Sequence, residues 1–167
     1  VLCEKPLALN ADEAWELLAT AERAGIVTAV NFSYRQNPAV RFIKDIVDSG
    51  DLGTIYQVSL QYLQGHLADP ETPLRPSVLW RAQMSRAGLG VLGDLGSHMI
   101  DQARFWFGEI AAVQGIPRTF VTRRPLFEGG VADVDGDDVT MALLDFASGT
   151  VATFQVSWAA PPWGNHQ

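Results

Sequence analysis

The spacing of the apolar residues changes character at Gly53, and that change limits the folds open to this chain. Before it, apolar residues recur with a helical period: Ala14, Leu17, Leu18 and Ala21, then Val40, Ile43 and Val47 with Ile46 beside them. After it they alternate. Tyr56, Val58, Leu60 and Tyr62 point one way and Gln57, Ser59 and Gln61 the other, as in a strand with one covered face. Val139, Met141 and Leu143 alternate up to Phe146, and Ala147-Ser148-Gly149 turns the chain into Ala152, Phe154, Val156 and Trp158. That pattern predicts a β-hairpin. Between these strands a helix is expected from about Leu95 to Phe107, closed by Gly108. Residues beyond about 35 are therefore expected to form an α+β layer, one open and largely antiparallel sheet with helices on one face.

The opening segment reads differently. Asn10-Ala11-Asp12-Glu13 is a capping box for a helix that Gly25 stops, and Ile26 to Phe32 reads as a short buried strand. Helix followed by strand is the last step of a parallel α/β sheet, so this opening is expected to be a remnant of one. A first residue that is not methionine agrees with that reading. Asn37-Pro38 starts the next helix and Ser49-Gly50 ends it. Residues 65 to 78, with Pro70, Pro73 and Pro76, predict a long loop of the kind that often carries function. Residues 110 to 122 predict a strand, and 124 to 136 an acidic connection with glycines. No closing element is expected after the last strand.

With 47% hydrophobic and 19% charged residues, the chain can bury a core. Its net charge of −7, with no clustered Lys or Arg, argues against a polyanionic partner such as nucleic acid. No apolar run approaches the roughly 20 residues that span a bilayer. The single cysteine, Cys3, excludes an internal disulfide and fits a reducing cytosol. It is expected to be a buried strand-end residue rather than a reactive thiolate.

Three clusters carry chemistry. Glu4-Lys5-Pro6 lies where a parallel strand should end, the edge at which open α/β sheets bind ligands. A lysine there can stabilise a developing alkoxide, with the proline holding it in an extended or cis corner. The plainer alternative is a surface lysine in a turn. Asn31-Phe32-Ser33-Tyr34-Arg35 places polar groups and a guanidinium at the junction of the two parts. Arg35 either binds a polar ligand or pairs with a carboxylate across the junction. In the third cluster, Gly90 to Asp101, a helix that includes Asp94 would align Asp94, His98 and Asp101 in one stripe. An imidazole flanked by carboxylates is a sensible proton acceptor near neutral pH. The alternative is Asp94 as an N-cap and His98 as a core histidine. The glycines at 90, 93 and 96 would admit another chain or a ligand close to the backbone. A metal set of Asp94, His98 and His66 is irregular in spacing, and no metal is expected.

Taken in order, these pieces resemble the Gfo/Idh/MocA family, named for glucose-fructose oxidoreductase, inositol dehydrogenase and a rhizopine protein. The matching residues are Glu4-Lys5-Pro6-Leu7-Ala8, Asn31 to Arg35 with Pro38, Leu52-Gly53-Thr54-Ile55, Trp80-Arg81, Gly93 to Asp101 and Gly108-Glu109-Ile110. Gly136-Asp137-Asp138 and Phe146 to Thr150 complete the series. The resemblance implies the end of an NAD(P)-binding Rossmann domain over residues 1–35. It implies a substrate-binding and oligomerisation α/β domain, incomplete at its C-terminus, over 36–167. It also implies a nicotinamide cofactor, NAD or NADP, a sugar or polyol substrate of inositol-like kind, and a cytoplasmic homo-oligomer formed through the open sheet face.

Lys5 resembles the family's catalytic lysine, Asp94 its substrate-binding aspartate and His98 its proton-transferring histidine. Glu4, Lys5, Pro6, Trp80 and Arg81 are then expected at the cofactor, and Lys5, Arg35, Asp94 and His98 at the substrate. Trp80 has a plainer reading as a buried anchor of the long loop. Two departures stand out: Gly88-Leu89-Gly90 replaces a triple glycine, and residues 1–35 hold no Gly-x-Gly-x-x-Gly turn between a strand and a helix to seat a pyrophosphate. The 167-residue chain is accordingly expected to be an inactive fragment of a dehydrogenase. Two rival readings share the fold, a non-catalytic binding or oligomerisation module and a glycosidase that uses NAD transiently.

Overall fold

In the computed structural model, which describes residues 1–160, the two parts separate as elements. Strands β1 (Leu2–Glu4) and β2 (Ala29–Asn31) pair in parallel, with helix α1 (Ala11–Arg23) between them in sequence. The Asn10 side chain accepts the Glu13 N–H at 2.9 Å, and the Glu13 carboxylate accepts the Leu9 N–H at 3.0 Å. The capping box therefore reaches one residue further back than expected. The strand expected over 26–32 is shorter and not buried: Ile26 is 48% and Val27 88% exposed. Its cause is visible in the pairing, since β1 is its only partner among the described residues. Cys3, likewise, is only partly covered.

A 3₁₀ turn over Ser33–Gln36 leads to helix α2 (Pro38–Ser49). The Asn37 side chain accepts from Ala39 N–H, Pro38 takes the first helical position, and Gly50 ends the helix in the left-handed region at φ 76°. Four strands form the main sheet: β3 (Gln57–Leu63), β4 (Ile110–Arg118), β7 (Val139–Phe146) and β8 (Val151–Ser157), in the order β3-β8-β7-β4. The hairpin β7–β8 and the pair β4–β7 are antiparallel, whereas β3 joins β8 in parallel. Alternation reveals a strand but not its direction, and β3 and β8 are too far apart in sequence for a hairpin to set it.

On the covered face Leu60, Tyr62, Leu144, Phe146, Ala152, Phe154 and Val156 pack with Val91, Leu95, Met99 and Ala103. The last two of these belong to helix α5 (Ser97–Phe107). The Trp106 indole N–H donates to Val40 O at 2.9 Å, tying α2 to α5. The stripe that reveals β7 in the sequence lies largely on the other side. Met141 and Leu143 are 53% and 59% exposed on the open face, while Thr140, Leu144 and Phe146 turn inward. Tyr56, expected on the covered face, precedes β3 and is exposed.

Residues 64–75 form the expected long loop, followed by short helices α3 (Pro76–Leu79) and α4 (Met84–Ala87). The connection after β4 is not irregular: β5 (Arg123–Pro125) and β6 (Val131–Asp133) make a small antiparallel hairpin, and β4 stops at Arg118. Its turn uses Gly129 and Gly130 at φ 92° and 85°, a turn signal that the acidic composition hides. Phe154, at 3% exposure, sits in the middle of the covered face, and Thr153 points the other way. Phe154→Ala should lower stability in a urea titration by about 3–5 kcal/mol, whereas Thr153→Ala should stay within roughly 0.5 kcal/mol of the parent.

Candidate active site

Strand β1 ends at Glu4, whose carboxylate accepts from the Asn31 amide at 2.6 Å, and the chain then turns through a cis Lys5–Pro6 bond. The turn sends the Lys5 side chain toward residue 94. Its Nζ donates to the Asp94 carbonyl oxygen at 2.6 Å and lies 3.5 Å from Asp94 Oδ1. Both side chains are mostly covered, at 13% and 24% exposure, so the ion pair is held away from bulk water.

Asp94 reaches this position because residues Leu92–Gly96 form a single π-helical turn leading into α5. Such turns commonly mark functional sites. The helix does include Asp94, and the residue is not an N-cap: no side chain caps α5. Two devices hold the turn. The Asp137 carboxylate accepts from Gly90 N–H at 2.7 Å, Leu92 N–H at 3.0 Å and the Thr140 hydroxyl at 2.6 Å. At Gly90 a Cβ would fall 2.4 Å from the Asp137 backbone, so only glycine permits the approach. At Gly96 a Cβ would meet Leu92 Cδ1 at 2.7 Å, while Phe154 and Val156 of β8 would stand at an ordinary contact distance of 3.5 Å. Of Gly90, Gly93 and Gly96, the first is thus the glycine that admits another segment of the same protein.

His98 follows one turn later and is buried. Its ring stacks on Tyr34 with centroids 4.0 Å apart and planes 9° from parallel. Its Nδ1 is buried without a hydrogen-bond partner. Burial pushes the imidazole below its ordinary pKa, helped by the Lys5 ammonium and opposed by Asp94, Asp101 and Glu4. Arg35 is occupied: Nε and Nη2 donate to the two carboxylate oxygens of Asp101 at 2.8 and 2.7 Å. Asp94, His98 and Asp101 therefore share a helical segment but address three different partners.

Two cavities flank Asp94. One, of about 310 Å³, is lined by Glu4, Lys5, Pro6, Trp80, Arg81 and Asp94 among others. The other, of about 280 Å³, is bounded by His66, Arg75, Arg81, Asp94, Phe127 and Trp158 with apolar residues between them. The structure thus gathers Lys5, Asp94, Trp80 and Arg81 around one space. His98 and Arg35 line neither cavity. Among the described residues no three His, Cys, Asp or Glu side chains are gathered to hold a metal. Sequence reasoning gave no role to Asp137, Asp138 or Arg124. Their signal was the acidic pair after Gly136, polar residues directly before an apolar strand.

Comparison with known proteins follows the same outline. A sequence model of the GFO/IDH/MocA C-terminal domain matches residues 40–166. Levoglucosan dehydrogenase of Pseudarthrobacter phenanthrenivorans is 36% identical over 170 residues, covering 94% of this chain and 43% of that protein. Glucose-6-phosphate 3-dehydrogenase of Bacillus subtilis is 33% identical over 108 residues, covering 64% of this chain and 29% of that one. A solved levoglucosan dehydrogenase in complex with NADH and L-sorbose superposes with a TM-score of 0.88 at 38% identity, over 99% of this chain and 43% of that one. This chain therefore spans less than half the length of these relatives.

A buried neutral His98 sets the direction of a pH effect. Its folded pKa lies below the ordinary 6.5, so the unfolded chain binds the proton more readily. The contribution is complete above the unfolded value and is lost as pH falls through 6.5 toward the folded value. Urea midpoints should fall between about pH 7.5 and about pH 5.5, and His98→Gln should reduce that fall, leaving the part that belongs to His66, whose pKa burial also lowers. An equal slope in the variant would show that His98 stays solvated.

Proposed function

The chain belongs to the GFO/IDH/MocA family, and from that premise we propose that it carries the catalytic and substrate-side part of an NAD(P)-dependent sugar or polyol dehydrogenase. The observation that carries the reading is the Lys5 ammonium against Asp94, 89 residues away in sequence, beside a cavity that Trp80 and Arg81 also line. We assign residues 1–35 to the end of the dinucleotide-binding domain and 36–167 to the substrate domain.

The cavity over Glu4, Lys5 and Pro6 suits the nicotinamide end of the cofactor. It offers an aromatic wall in Trp80, and in Arg81 a guanidinium with no carboxylate partner among the described residues. A bound nicotinamide ring would supply the hydride acceptor. The protein's own residues would do the rest. His98 lines neither cavity, but it lies within electrostatic reach of Lys5 and Asp94, and burial lowers its pKa; with the substrate bound it would take the proton from the hydroxyl. Lys5 meets the oxygen as negative charge develops, and Asp94 orients the reacting carbon through a neighbouring hydroxyl. Arg35 supports this arrangement by holding α5 through Asp101 and, lining neither cavity, would act on the substrate only through that helix. The sugars in the names of the relatives, levoglucosan, L-sorbose and glucose 6-phosphate, support a sugar substrate over a specifically inositol-like one.

The open sheet face, with Ile116, Met141 and Leu143 more than half exposed and Val151 49% exposed, supports a homo-oligomer. A monomer mass for the intact protein in light scattering would exclude it. No helix among the described residues is long and apolar enough to cross a membrane. A glycosidase that uses the cofactor transiently would be recognised by turnover without accumulation of NADH.

In the intact enzyme His98→Ala should lower turnover by about 10²- to 10⁴-fold while cofactor affinity changes little. An unchanged rate would make His98 a structural residue. The 167-residue chain alone, titrated with NADH and followed by fluorescence, should show no saturable binding at low micromolar concentrations, because its one Gly-x-Gly-x-x-Gly string, Gly88 to Gly93, follows the short helix α4 and enters the π-helical turn instead of joining a strand to a helix N-terminus. Saturable binding there would relocate the cofactor site.

A further inference from the structure

A histidine that takes and returns a proton must keep its ring in one plane, and proteins usually secure this with a hydrogen bond to the second ring nitrogen. Here that bond is missing. His98 is buried, and its Nδ1 meets no donor or acceptor. What lies against the ring instead is Tyr34, nearly coplanar at 9° and 4.0 Å between centroids.

Tyr34 is itself fixed at both ends. Its hydroxyl lies 3.1 Å from the Tyr62 hydroxyl on β3, which in turn accepts from the Gln64 amide at 3.3 Å. Its backbone belongs to a 3₁₀ turn closed by Arg35 N–H to Phe32 O and Asn37 N–H to Tyr34 O. The next residue clamps that turn onto α5 through two hydrogen bonds to Asp101, three residues beyond His98. The tyrosine ring is thus a rigid plate, held from the sheet and from the helix that carries the histidine.

We infer that Tyr34 is a positioning residue for His98, its ring face holding the imidazole plane where a hydrogen bond to Nδ1 is absent and supporting the imidazolium that forms when the ring takes a proton. This rests on the role given to His98 under Proposed function. An electron-rich ring face attracts a cation most strongly in a desolvated setting, which is the setting here. The other charges that bear on the imidazole are Lys5 and Glu4 from the β1 turn, Asp94 from the π-helical turn and Asp101 from its own helix. Lys5 opposes the cation and is itself drawn toward Asp94, leaving the tyrosine face as the uncharged support.

The intact enzyme carrying Tyr34→Leu, Tyr34→Phe or pentafluorophenylalanine at position 34 tests the inference, with His98→Asn alongside. Tyr34→Leu should lower kcat by about tenfold or more with a smaller change in KM, as misplacement of a reacting group does. The acid limb of its kcat/KM profile should move to lower pH by about half a unit or more, because the imidazolium loses its support. Tyr34→Phe should recover most of the rate and leave the limb near the parent's. The fluorinated ring keeps the shape and reverses the polarity of the face. It should move the limb as Tyr34→Leu does, and it remains informative if the leucine variant does not fold. In the His98→Asn background Tyr34→Leu should cost little more, since both act through one group. Limbs that stay together in all variants, or Tyr34→Phe falling as far as Tyr34→Leu, would overturn the inference. If His98→Asn keeps its rate, the reading of His98 as the proton acceptor fails instead.

Discussion

At Gly90 the backbone lies against Gly136 and Asp137 with no space for a Cβ, and the π-helical turn that carries Asp94 to Lys5 depends on that approach. Two chains pressed so close must satisfy their own polar groups, since an unpaired buried N–H costs about 1–3 kcal/mol. Asp137 does this for one side, taking the N–H groups at 90 and 92 and the Thr140 hydroxyl. Its neighbour Asp138 faces the other way. It accepts from Phe120 and Val121 N–H and pairs with Arg124, which is 1% exposed and donates to the carbonyls of Leu67 and Asp69. One acidic pair at the start of β7 therefore holds both the π-helical turn beneath Asp94 and the long loop that walls the second cavity. Removing one member of such a buried pair costs far more than the pair contributes as a whole, because its partner is left charged and alone.

The sequence disclosed those parts of this arrangement that have a period. The hairpin of β7 and β8, the caps at Asn10 and Asn37 and the helix around residue 100 could be read from spacing and capping residues alone. The direction of β3 could not, because alternation is the same in parallel and antiparallel strands. Nor could the choice of face on β7. Met141 and Leu143 are more apolar than Thr140, yet Thr140 is inside because Asp137 needs its hydroxyl. The Lys5 to Asp94 contact became legible only through the family pattern, since nothing local links residues so far apart. Tyr34 stood within a quoted motif without a role, because stacking leaves no trace in composition.

The electrostatics of the site are spare. The chain carries a net charge of −7, but the charges that act on His98 have partners of their own: Lys5 and Asp94 pair with each other, Asp101 pairs with Arg35, and Glu4 accepts from the Asn31 amide. With those charges paired off, burial is the largest influence on the imidazole. A group poised in this way changes its proton affinity when water is admitted or excluded, which is how closing a site around a substrate adjusts an acid or base.

The parallel pairing of β3 with β8 also bears on how the protein comes to be made. Residues 57–63 are made well before residues 151–157, their one partner in the sheet among the described residues. Until that last strand leaves the ribosome, β3 has an unpaired edge on both sides and an apolar face that includes Leu60 and Tyr62. Contacts this far apart in sequence are slow to form and expose the waiting strand to wrong partners. The hairpin of β7 and β8 closes locally, so assembly would start at that hairpin and gather in β3, which was made earlier. A nascent chain of this kind has reason to engage a chaperone before its active site exists.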